Sequence, residues 1–194
     1  MIGMEYTLEP GLYKDLTEAK ADLARHGIVL LRTIETDLEP AIMSAVRDSL
    51  ASSRGRLSKL DDDALDALVE KLRKTAQGEA NDLKDLYTRL LARFGREFVG
   101  DLSKDLEGIG ELFSWERISR SVEPVNKLLE KHGFELVELS DPSDISESFK
   151  MELEEKWAPS FARFGTLVGR AAAEIAEQNR GEGRATGRKA AKKR

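Results

Sequence analysis

The sequence predicts a mainly α protein, a helical bundle with at most a minor α+β component, on three observations. Apolar residues recur at spacings of three and four over most of the chain. Charged residues make up 35% of the 194 positions, above the usual quarter, which suits helices with solvated outer faces. Only two short apolar runs read as strand, Ile28 to Ile34 and Phe134 to Leu139, enough for a small two-stranded sheet and no more. With 40% hydrophobic residues the chain can bury one core. Residues 1–179 therefore read as a single helical domain and residues 180–194 as a disordered basic tail.

In chain order, Leu12, Leu16, Ala19 and Leu23 mark one face of a first helix behind Pro10-Gly11. It is expected to stop at His26-Gly27, where glycine favours a left-handed C′ position. Thr36-Asp37-Leu38-Glu39 matches a capping box and opens a second helix with the stripe Leu38, Ile42, Val46 and Leu50. Ser52-Ser53-Arg54-Gly55 reads as a linker.

The strongest helical signal lies between Ser58 and Val99. Leu65, Leu68, Val69 and Leu72 share a face with Leu83, Leu86, Tyr87, Leu90, Leu91, Phe94 and Phe98. The two sets stay in phase through Ala76 and Ala80, which favours one long amphipathic helix. Gly78, at a cost of ~1 kcal/mol inside a helix, is the argument for a hairpin. A weaker stripe follows at Leu102, Leu106, Ile109 and Phe113, then a helix from about Ser121 to His132. Asp141-Pro142-Ser143-Asp144 reads as a turn. Helices are expected over about 146–156 and 160–178, the latter with Phe161, Phe164, Val168, Ala172 and Ile175 inward. Nine of the twelve aromatic residues fall between Phe94 and Phe164, which assigns the bulkiest packing to the C-terminal half.

Composition excludes several chemistries. The chain has no cysteine, so disulfides, thiol nucleophiles and thiolate zinc sites are out. Met1-Ile2-Gly3-Met4-Glu5 lacks the basic-then-apolar pattern of a secretory signal, and the apolar run Ile28 to Leu31 falls far short of the ~20 residues a membrane span needs. A cytoplasmic protein without a membrane segment is expected. No glycine-rich phosphate loop or nucleophile elbow is present. Trp115 and Trp157 read as core residues before they read as partner anchors.

Two local patterns bear on sites. The only histidines sit in similar surroundings, Leu23-Ala24-Arg25-His26-Gly27-Ile28 and Leu129-Glu130-Lys131-His132-Gly133-Phe134. Pairing of the two apparent strands would bring the histidines together; the simpler reading is two helix C-caps, where imidazolium suits the helix dipole. Asp62-Asp63-Ala64-Leu65-Asp66 resembles the aspartate-rich motif of isoprenoid synthases, whose helical carboxylates hold magnesium against a pyrophosphate. The resemblance covers five residues, and the opposing motif is missing, since Asn81-Asp82-Leu83-Lys84-Asp85 lacks the hydroxyl and the following acid. Asp61 to Asp63 read instead as the negative first turn of a helix. No catalytic, metal or cofactor residue is assigned.

The charge distribution is the clearest functional signal. Arg180, Arg184, Arg188, Lys189, Lys192, Lys193 and Arg194 face one acid, Glu182, a net of +6 in the tail. Residues 1–179 carry 24 basic and 35 acidic residues, a net of −11. The tail is therefore the candidate contact for nucleic acid or for an acidic protein surface. Residues 135–155, with eight acids and Lys150 alone, are a rival dock within the chain. The expectation is a non-enzymatic helical interaction protein (adaptor, assembly factor or regulatory subunit) that binds a protein partner or itself. The alternative is an enzyme using carboxylate or histidine chemistry.

Overall fold

The computed structural model describes residues 8–53, 59–93 and 102–191. Among them there is no strand, and nearly all belong to helices: α1 (Pro10–Thr33), α2 (Glu39–Ser52), α3 (Asp62–Arg93), α4 (Leu102–Leu112), α5 (Trp115–Ser119), α6 (Glu123–Lys131), α7 (Glu147–Met151) and α8 (Ala158–Ala191). The mainly α expectation is met. The two-stranded sheet is not: Ile28–Thr33 is helix, and Phe134–Ser140 is irregular chain.

The expected helix stop at Gly27 fails because the buried stripe never loses phase. Leu23, Gly27, Leu30, Ile34 and Leu38 are all buried at spacings of three and four. One helical run therefore extends from Pro10 to Ser52, carried between α1 and α2 by a π-helical turn, Ile34–Leu38. Thr36 lies in that turn and donates to the carbonyl of Arg32 (2.9 Å), so it caps nothing. The wide turn precedes Pro40, whose ring would otherwise crowd the carbonyl four residues back. The same device recurs near the C-terminus. A π-helical turn, Glu152–Trp157, joins α7 to α8 just ahead of Pro159. The two helices expected there are thus one run.

Helix α3 is continuous through Gly78. Its inward face is Leu68, Leu72, Ala76, Ala80, Leu83 and Tyr87, all buried. Phe94 and Phe98, read from sequence as part of this stripe, lie outside the described residues, as do Arg54 and Gly55 of the expected linker. The α1–α2 run packs antiparallel to α3, through Glu39–Arg73 (3.9 Å), Glu35–Lys84 and the approach of Leu91 to Gly27. It also packs antiparallel to the C-terminal run, through Asp37–Ser146 (3.1 Å), His26–Glu152 (2.8 Å) and Asp22–Arg163 (3.6 Å). Glu9, just before α1, donates its amide to Glu174 on the same seam (3.3 Å).

Aromatic residues fill the crossing of these layers. Tyr87 of α3 stacks on Phe113 (4.0 Å), Phe113 on Trp157 (4.1 Å), and Trp157 on Phe161 of α8 (6.3 Å). Offset stacking adds to the apolar area these rings bury. Burial pushes the Tyr87 hydroxyl pKa well up, so it stays protonated. In α8 the buried set is Phe164, Leu167 and Ala171, and Ala172, expected inward, is exposed. The inward face is narrower than the apolar stripe because the helices packed on it, chiefly α1 and α4, cover only part of it.

Helix α6 does end as expected. Gly133 takes φ 72°, and Phe134 and Gly133 donate to the carbonyls of Leu129 and Glu130 (both 2.9 Å), a Schellman closure. The chain beyond is pinned by side chains in place of a strand partner. The Asn126 amide bonds both the N–H (2.8 Å) and the carbonyl (2.9 Å) of Val137. Ser49 donates to the carbonyl of Glu135 (2.6 Å). Asp141 and Asp144 then close the capping box of a short 3-10 turn, Pro142–Asp144.

Candidate functional site

The basic residues singled out by sequence sit at the end of α8. Arg180 and Arg184 are exposed, and neither makes an ion pair among the described residues. The backbone is helical through Ala191, so Arg188 and Lys189 continue a helix where disorder is expected. The physical reason is propagation: an established helix adds each residue at the cost of one residue's freedom, and alanine and arginine extend it well. Lys192, Lys193 and Arg194 lie outside the described residues. Arg180, Arg184 and Arg188 recur every fourth residue, the spacing that puts helical positions on one side.

The last buried residue of α8 is Ala171, and every described position from Ala176 to Arg184 is exposed. The helix therefore leaves the packed body and carries Arg180 and Arg184 outward over roughly 12 Å. Counting from Glu155 to Arg180 gives 25 residues, roughly 37 Å along one helical run. The acidic segment 135–155 and the basic arm consequently stand at opposite ends of the C-terminal run, and the arm does not fold back onto it.

That acidic segment divides into two classes. Glu152 is buried, with His26 Nδ1 donating to one carboxylate oxygen (2.8 Å) and Lys156 Nζ pairing with the other (3.3 Å). Asp141 pairs with Lys150 (3.2 Å) and accepts from the amide of Ser143 (2.8 Å). The bonds from Ser143, then Lys150, hold the Asp141 carboxyl below its ordinary pKa. Glu138, Glu147, Glu154 and Glu155 are exposed and make no ion pair among the described residues.

Sequence reasoning missed the His26–Glu152–Lys156 group. The available signal was Glu152 itself, a carboxylate flanked by Phe149, Leu153 and Trp157 with a lysine four residues on. A carboxylate-held imidazole is the geometry of a general base. Here His26 precedes Gly27, where a β-carbon would meet Leu91 and Trp157, and the pair ties two helices together across an interface. A buried carboxylate left without these partners would be strongly unfavourable.

The remaining candidates separate. Ser49, bonded to Glu135, lies 23 residues beyond His26 on the same helical run, roughly 35 Å away. His132, three residues before Glu135, therefore does not meet His26. It lines an open cavity of about 320 Å³ with Lys59, Leu60 and Phe134. Asp61 caps α3 by accepting from Ala64 N–H (2.6 Å), and Asp62 and Asp63 occupy the first turn, as the helix-dipole reading requires. No group of three or more metal-binding side chains occurs among the described residues. Trp157 is buried and Trp115 partly so. No described helix is long and apolar enough to cross a membrane.

No family model matches the chain, and neither any curated protein nor any solved structure is similar to it.

Proposed function

We propose that this chain is a helical interaction protein whose body is a scaffold and whose C-terminal arm, Arg180–Arg194, engages an anionic macromolecular surface in the cytoplasm. The observation that carries the reading is the course of α8. Its first part builds the core through Phe164, Leu167 and Ala171, and its end is exposed and basic. Basic side chains on a projecting helix gain nothing for the fold, since exposed charges contribute little to stability. They do attract a partner of opposite sign, and the body's net −11 is screened beyond ~8 Å at physiological salt.

The test compares the full chain with residues 1–179 for binding to duplex DNA, single-stranded RNA and proteins from lysate across salt. The full chain is expected to bind one of these classes, more weakly as salt rises, and residues 1–179 to lose that binding. Equal binding by both forms would overturn the reading. The enzyme alternative draws on one observation, the His26–Glu152 pair, and predicts a substrate-dependent activity abolished by His26→Ala.

A further inference from the structure

The helical run from α7 through α8 is continuous, and acids predominate at its start and bases at its end. Glu147, Glu154 and Glu155 stand without an ion pair at its start, and Arg180 and Arg184 at its end. Of the two lysines beside those acids, Lys150 is already held by Asp141 and Lys156 by Glu152. The run's own geometry keeps the two ends roughly 37 Å apart, so neither can neutralise the other within one chain. A second copy can do so.

We infer that two copies pair antiparallel along α8, so that the basic arm of each lies against Glu147, Glu154 and Glu155 of the other. This deepens the proposed function, resting on the reading of the arm as a binding element, and names its partner. Only the antiparallel arrangement works: parallel copies would bring two basic arms together and two acidic starts together. It is also closed, because a two-fold axis makes the same contact twice and leaves neither end free.

The position of the axis follows from charge. Gly169 lies 15 residues from Glu154 and 15 from Arg184, so an axis there sets Arg184 of one copy opposite Glu154 of the second. Arg180 then falls within about one turn of the same acids. The helix surface between the charged ends permits close approach. Ala162, Gly169, Ala172 and Ala176 are exposed, Gly165 is partly so, and a β-carbon added at Gly165 or Gly169 would meet nothing within 4 Å.

A charge-swap cycle read by sedimentation velocity tests the pairing, on the full chain at low salt over micromolar concentrations. The chain is expected to sediment as a dimer that dissociates as salt rises. Arg180→Glu with Arg184→Glu, or Glu154→Arg with Glu155→Arg, should each weaken dimerisation by about tenfold or more, four symmetry-related pairs being lost. The two sets combined should restore it, because the charges are then exchanged and still complementary. A monomer at all concentrations, or a dimer indifferent to both swaps, would overturn the inference. So would failure of the combined variant to recover while each single set keeps native helicity. A monomeric chain that binds DNA or RNA through the arm would overturn the pairing and leave the proposed function standing. A monomer that binds neither nucleic acid nor any lysate protein through the arm would overturn both.

Discussion

The two histidine–glycine pairs begin from nearly the same local sequence and end as opposite structures. At His132-Gly133 the helix closes: glycine takes φ 72°, and two amides turn back to the last carbonyls. At His26-Gly27 the helix runs on for another 25 residues, through a π turn, to Ser52. What differs is the sequence beyond the glycine. Leu30, Ile34 and Leu38 keep the phase set by Leu23, whereas the phase of Leu129 reaches Leu136 and then meets Ser140 and Asp144 where the first segment has Ile34 and Leu38. Gly27 is present because Leu91 and Trp157 press against it, with contacts of 2.9 and 3.1 Å to a β-carbon built there. A glycine near a helix end thus reports either a turn or a close neighbour, and the register of the following apolar residues decides which.

Substitutions break this comparison in a graded order. Trp157→Ala removes the wall against Gly27 and its stack on Phe113, and is expected to cost about 3–5 kcal/mol in urea unfolding. His26→Ala leaves a buried carboxylate with Lys156 alone and should cost about 1–3 kcal/mol, whereas exposed His132→Ala should stay within about 0.5 kcal/mol. The same measurement distinguishes the glycines. Gly27→Ala overpacks by about 1–3 kcal/mol, partly offset by ~1 kcal/mol of helix propensity. Gly133→Ala should lose about 1–2 kcal/mol to its left-handed backbone. Gly78→Ala, with open space around it, should gain up to ~1 kcal/mol.

The smallest effect is pH-dependent and belongs to the segment after Gly133. The Asp141 carboxyl is held below its ordinary pKa, so its contribution is present at neutral pH and is lost as pH falls through the folded value. Its partner Lys150 is raised by the hydrogen bond and charge of Asp141, so that contribution persists below the ordinary lysine pKa and is lost at alkaline pH. Asp141→Asn should therefore lower Tm slightly between these limits and leave it unchanged in strong acid, as a thermal melt series would report.

Much of the architecture was legible from periodicity: α2, α3 and the aromatic-rich crossing all follow from stripes visible in the chain. Two features were not. The π turns before Pro40 and Pro159 fuse helices that read as separate in the sequence, and proline's usual meaning as a breaker hides that rescue. The pairing of His26 with Glu152 joins residues 126 apart, and no local pattern encodes such a contact. The basic arm was legible as charge but not as helix, because its glycines (Gly181, Gly183, Gly187) argue for disorder when the preceding helix is left out of account.

The central claim is a division within α8, between a first part that folds and an end that binds. Its most direct test is removal of residues 180–194, with thermal unfolding and sedimentation measured on the same samples. The account predicts a Tm within about 2 °C of the full chain and a loss of self-association. A Tm lowered by several degrees more, or self-association that survives the deletion, would contradict it.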